Sequence, residues 1–147
     1  MSPFPSALDD SIAGLLAEGD RLADEDRHDD ALARYMEAWS LIPEPKNECE
    51  ASRQVLAAIG DTHYRTGAFA PATEAFNAAL LCPGGLGDGF LYLRLGQCEF
   101  ELGDLEFAAE HLTQALEVEG EDIFDGEDLK YLEFLRKRTK SLLPEKW

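Results

Sequence analysis

Basic residues are scarce in this sequence. Thirteen Lys and Arg stand against thirty Asp and Glu, a formal charge of −17. Such a field repels phosphate backbones and anionic bilayers, so neither nucleic acid nor membrane is an expected partner. Cysteine is scarce too. Cys49, Cys82 and Cys98 are odd in number and contain no CxxC pair, which argues against a disulfide framework and a cysteine zinc site. Reduced thiols fit a cytosolic protein. No apolar run is long enough to span a bilayer. The first residues, MSPFPSALDD, lack the basic start and apolar stretch of a secretory signal, so the expected location is the cytoplasm. His28, His63 and His111 show no paired spacing, and HExxH, GxSxG and Walker motifs are absent. The glycine-rich stretch 83–89 lacks the lysine and hydroxyl residue of a P-loop, and DIFDGED does not match EF-hand spacing. No catalysis, metal or cofactor is expected.

What the chain does have is self-similarity. Residues 60–80, GDTHYRTGAFAPATEAFNAAL, read as two short amphipathic helices joined by a tight turn. Thirty-six positions on, residues 96–116, GQCEFELGDLEFAAEHLTQAL, repeat the pattern. Gly60 becomes Gly96, Gly67 becomes Gly103, Ala72 becomes Ala108, Phe76 becomes Leu112 and Ala79 becomes Ala115. A weaker copy lies forty-one positions before the first, at Gly19, Ala31, Tyr35 and Ala38. A period of this size signals stacked helix pairs. Small residues at the glycine and alanine slots let two antiparallel helices approach closely, and the bulky residue four further on fills the gap to the next pair. One pair cannot bury its apolar face alone, so about three copies are the minimum.

On these residues the chain resembles the tetratricopeptide repeat family, whose copies follow W-x2-L-G-x2-Y…A-x3-F…P. The third copy reads Tyr92-x2-Leu95-Gly96, then Ala108-x3-Leu112. The second reads Leu56-x2-Ile59-Gly60, then Ala72-x3-Phe76. The first reads Leu15-x2-Glu18-Gly19, then Ala31-x3-Tyr35, with Pro43 in the terminal proline slot. Glu18 stands where an aliphatic residue is usual, and His63 and Glu99 take the tyrosine slot just before Tyr64 and Phe100. The resemblance covers residues 12–120 and implies an all-α solenoid in a single domain, 1–147. Its repeats would span 12–45, 53–86 and 89–120, followed by a capping helix over 127–142 and making seven helices in all.

The expected elements follow from caps and periodicity. Residues 1–5 form a loose, proline-containing tail, and Ser6 with Asp9 makes a capping-box variant ahead of a helix from Ala7 to Asp24. A second helix over 30–42 turns Leu32, Tyr35, Met36 and Trp39 inward, and Pro43 and Pro45 stop it. The third opens at Lys46 or Asn47 and runs to Thr66, where Gly67 ends it. The fourth begins near Ala70 with Pro71 in its first turn. The fifth covers 90–102 and the sixth 105–118. An acidic loop comes next, pinned by Ile123 and Phe124. The last helix offers Leu129, Leu132, Phe134, Leu135 and Leu142 as apolar positions. Arg136, Lys137, Arg138 and Lys140 crowd its final turns, where the helix dipole favours cations.

Binding is the function that remains. Acids outnumber bases thirteen to four in residues 1–50, four to three in 51–100 and thirteen to six in 101–147. This charge attracts basic partners and speeds their capture, and it also serves solubility. In the resembled family the first helix of each pair lines a concave groove. The carried-over positions are Leu16, Asp20, Ala23 and Asp24, then Ala57, Asp61, Tyr64 and Arg65, then Leu93, Gln97, Phe100 and Glu101. Leu16, Ala57 and Leu93 lack the donors of the carboxylate clamp found in co-chaperones. A basic or mixed segment is therefore expected, anchored by Tyr64 and Phe100, with Glu121, Asp122 and Asp125 as a weaker second contact.

The chain is also similar to compact bacterial tetratricopeptide proteins encoded beside secreted toxins, through LRLGQCEFELG and CPGGLGDGF. That similarity implies an acidic immunity protein which neutralises a basic toxin or effector. The alternative is a secretion chaperone, similar to those of type III translocators, or an adaptor holding an extended peptide. Self-association through the terminal helix is a third use.

Overall fold

The computed structural model describes the backbone of residues 6–140 and the side chains of residues 8–138. The tail at 1–5, the Ser6 hydroxyl and Leu142 lie outside the described residues. Seven α-helices occur among the described residues, and no strand. They are α1 (Ser6–Asp24), α2 (His28–Leu41), α3 (Glu50–Arg65), α4 (Phe69–Leu80), α5 (Gly89–Leu102), α6 (Leu105–Glu119) and α7 (Leu129–Lys140). The helices fall into two compact units, divided between Leu86 and Gly87. In the first unit α1 pairs with α2, α3 with α4, and α3 also packs on α2 and α1. In the second α5 pairs with α6, and α7 packs on α6.

The pairing rests on the small-residue slots. Ala31, Ala72 and Ala108 are fully buried, and so are Phe76 and Leu112, with Tyr35 nearly so. A Cβ added at Gly60 would sit 2.8 Å from the Phe76 ring, and one at Gly96 would sit 2.5 Å from Leu112 Cγ. One at Gly19 would run into Tyr35. Each glycine thus admits the bulky residue of its own partner helix. The same turn closes every pair. In α1–α2 the amides of Asp26 and Arg27 donate to Ala23 O (3.0 Å) and Leu22 O (2.9 Å). Gly67 and Ala68 do so to Tyr64 O (3.1 Å) and His63 O (2.8 Å), and Gly103 and Asp104 to Phe100 O (3.1 Å) and Glu99 O (2.9 Å). This is the left-handed helix stop, with φ of 81° at Gly67 and 85° at Gly103. Glu99, the acid in the tyrosine slot, is buried but partnered. His111 Nδ1 lies 2.6 Å from its Oε1, and the His111 ring stacks on Tyr92.

Several expectations need correction. The second helix starts at His28, two residues early. The third does not open at Lys46. Lys46–Glu48 form a separate 3₁₀ turn, Cys49 is extended, and α3 begins at Glu50. The break has a cause: the Lys46 carbonyl accepts from the Cys49 amide (3.1 Å) and from the Ser52 hydroxyl, so its helical partner is displaced. Met36 is half exposed rather than inward. The last helix starts at Leu129, not Glu127, because the Asp128 carboxylate accepts from the Lys130 amide (3.0 Å) as an N-cap. Leu129 is exposed, while Leu135 is buried as expected and Tyr131 joins it on the apolar face of α7. The loop before α7 holds a 3₁₀ turn, Glu121–Phe124, with Phe124 buried and Ile123 partly so.

Candidate protein-binding surface

Within the first unit, α1 sets Asp20, Ala23 and Asp24 on one face by three- and four-residue spacing. By the same spacing α3 sets Ala58, Asp61, Thr62 and Arg65. These seven residues and Tyr35 line a cavity of about 330 Å³. Ala23 and Ala58 leave the space, since neither reaches far from its helix. Tyr35 comes from α2, where its ring fills the Gly19 slot. Its hydroxyl donates to Asp20 Oδ1 at 2.6 Å. Burial, followed by this hydrogen bond and the Asp20 charge, pushes the phenol well above its ordinary pKa. The group is therefore a fixed donor that orients Asp20. Arg65 Nε lies 3.0 Å from Asp61 Oδ2, one helical turn away. Three carboxylates share this cavity with one guanidinium, an arrangement that suits a cationic side chain.

The structure thus brings together five of the expected residues: Asp20, Ala23, Asp24, Asp61 and Arg65. Tyr64 does not line this cavity. Its ring meets Phe69 edge-on, with centroids 5.9 Å apart. Tyr35, Ala58 and Thr62 were not foreseen. Ala58 stands three before Asp61 and Thr62 three before Arg65, a helical spacing the sequence does carry. Tyr35 reads from sequence only as a packing residue.

In the second unit the equivalent residues face the chain itself. Gln97 is fully buried and accepts from Arg94 Nη1 (2.7 Å) while donating to Glu127 Oε1 (2.8 Å). Arg94 Nη1 closes the triad on Glu127 Oε1 at 2.7 Å. The Phe100 ring lies edge-on to Tyr131 and Phe134, with centroids 5.4 and 5.1 Å away. Glu101 Oε2 accepts from the Tyr131 hydroxyl (2.6 Å) and pairs with Lys130 Nζ (2.7 Å). Burial raises the Glu101 pKa, but the bonds from Lys130 and Tyr131 and the ammonium charge outweigh it and hold the carboxyl below its ordinary range. Among the loop acids, Glu121 pairs with Arg136, while Asp122 and Asp125 are exposed.

Among the described residues no group of three metal-ligating side chains is assembled, and no helix is long and apolar enough to cross a membrane. No protein-family model matches the sequence, and no curated protein does. Solved structures do resemble it. The first tetratricopeptide domain of Spaghetti (RPAP3), bound to the HSP90 peptide SRMEEVD, aligns with a TM-score of 0.67 at 21% identity, over 91% of this chain and 97% of its own. The first such domain of human RPAP3 gives 0.67 and 21%, over 91% and 94%. The Sgt2 domain from Aspergillus fumigatus gives 0.67 and 20%, over 96% and 82%. At this identity the likeness concerns the fold, which is that of tetratricopeptide domains.

Proposed function

We propose that this chain is a non-enzymatic protein-binding module whose partner is a basic protein. Its finer role is that of an immunity protein neutralising a basic toxin or effector. The observation that carries the reading is the α1–α3 cavity, where Asp20, Asp24 and Asp61 outnumber Arg65. The Spaghetti domain was seen with SRMEEVD, a peptide rich in carboxylates. The present cavity is itself rich in carboxylates and suits lysine or arginine instead. A folded partner is favoured over an extended peptide because Gln97, Phe100 and Glu101 are engaged by the chain's own Glu127, Lys130, Tyr131 and Phe134. The chaperone or adaptor reading keeps the support of the fold, since a relative in fold holds a peptide.

The test is an affinity pull-down from the native host at low salt, with a parallel high-salt wash and an Asp20→Asn/Asp24→Asn variant. One folded, basic partner is expected at near-stoichiometric amount. It should be lost at high salt, because exposed charges are screened within about 10 Å at 0.1 M, and lost with the variant. Several unrelated proteins, or secreted apolar segments, would instead establish the chaperone reading.

A further inference from the structure

The α5–α6 turn carries side chains that the repeat does not require. Leu102 ends α5, Leu105 opens α6 and Phe107 follows within its first turn; they are 45%, 43% and 58% exposed. Thirty-six positions earlier stand Thr66, Phe69 and Pro71. There Phe69 is half-buried against Tyr64, and Thr66 and Pro71 are exposed but small. Forty-one positions before those stand Glu25, His28 and Asp30. The three turns close with the same pair of backbone hydrogen bonds, so closure does not depend on these positions. Isolated exposed apolar residues are ordinary. Three large ones within six residues, at positions that are polar, small or covered in both sister copies, stand out as a candidate interaction surface.

The surroundings indicate what covers it. Asp104 and Glu110 are exposed beside the patch, and Glu106, which Arg138 contacts, is 89% exposed. A second copy of this chain would bring the same acids and a net charge of −17 against its own. Like charges set face to face disfavour that occupant. We propose that the α5–α6 turn, through Leu102, Leu105 and Phe107, docks a protein segment whose apolar side chains are flanked by lysine or arginine. Leucine, or an aromatic side chain, would contact the patch while the flanking cations meet Asp104, Glu106 and Glu110. The site is separate from the α1–α3 cavity and does not rest on the immunity reading.

The test titrates the full, isotopically labelled chain with a synthetic amphipathic helix of leucine and lysine. Controls replace its lysines by glutamate, or its leucines by serine. Amide shifts should appear at residues 102–110, with neither control shifting those residues. Combining Leu102→Gln, Leu105→Gln and Phe107→Gln should weaken binding at residues 102–110 at least tenfold. The substituted positions are exposed, so the fold persists. Shifts confined to the α1–α3 cavity, equal binding by the glutamate peptide, or an unaffected triple variant would overturn the proposal. Concentration-dependent dimerisation abolished by the triple variant would overturn it too, by assigning the patch to a second copy.

Discussion

Asp20 and Asp24 on α1 stand one and five residues after Gly19, and Gln97 and Glu101 on α5 stand one and five after Gly96. Their positions in the repeat match, yet their neighbours differ. Opposite α1, α3 presents Ala58, Asp61 and Thr62, and a cavity remains. Beside α5, α7 presents Lys130, Tyr131 and Phe134, and the face is filled. The residue four after the glycine follows the same division: Ala23 in the open face, Phe100 in the closed one. Position in a repeat therefore gives a side chain its address, while availability is decided by the size and charge of what lies across from it. Asp20, bound by the Tyr35 hydroxyl, still borders a cavity, whereas Glu101, bound by a lysine and a phenol, borders a filled face.

If that contrast is right, opening the closed face should have the largest effect. Tyr131→Ala removes a buried ring and the hydroxyl bound to Glu101. Loss of a buried aromatic costs about 3–5 kcal/mol. Amide exchange in residues 87–140 should accelerate strongly, with α1–α4 unchanged. If α5 and α7 keep their protection, α7 does not seal that face as argued. The next effect concerns the open face, whose shape depends on α3 being held against α4. A methyl at Gly60 meets the Phe76 ring, and such overpacking costs about 1–3 kcal/mol. Urea unfolding of Gly60→Ala should show that loss, and an unchanged midpoint would mean the ring shifts freely.

Much of this was legible in the sequence for a physical reason. Close helix approach admits only small residues, so Gly60, Ala72 and their copies register the pairing in residue type alone. Helical spacing puts Asp20 with Asp24 and Asp61 with Arg65, and the resemblance to the tetratricopeptide family implies that both pairs share one groove. What could not be read was the partner of each face. Tyr131 lies thirty residues from Glu101, and no local pattern links them. The break at Cys49 was equally hidden, since it depends on the Ser52 hydroxyl reaching the Lys46 carbonyl. From sequence Phe100 reads as an exposed anchor, because a terminal cap is predictable while the rings it brings to α5 are not.

A smaller effect tests the open cavity directly. Tyr35→Phe keeps the ring in the Gly19 slot and removes the donor to Asp20. A hydrogen bond to a charged group is worth about 1.5–3 kcal/mol, and partial exposure of Asp20 favours the low end. Partner affinity should fall along with stability, since Asp20 loses its orientation. A change in stability alone would make Tyr35 a packing residue only.

Acid gives the smallest and most selective comparison. The folded Glu101 carboxyl is held below its ordinary range, so the ionised form stabilises the native state. That contribution is complete above the unfolded value, about 4.3 for glutamate, and is lost as pH falls through the lower folded value. Protonation would weaken the bond with Lys130 and the acceptance from the Tyr131 hydroxyl together. Many other carboxylates titrate in the same window, so the parent curve alone decides nothing. Glu101→Gln supplies the reference, because it keeps the shape and cannot ionise. Between pH 6 and pH 3.5 the parent's urea midpoint should drop further than the variant's, the difference being the share of Glu101. Parallel curves would show that α7 is held by Tyr131, Phe134 and Leu135 without help from the charge, and the closed face would then owe its closure to size alone.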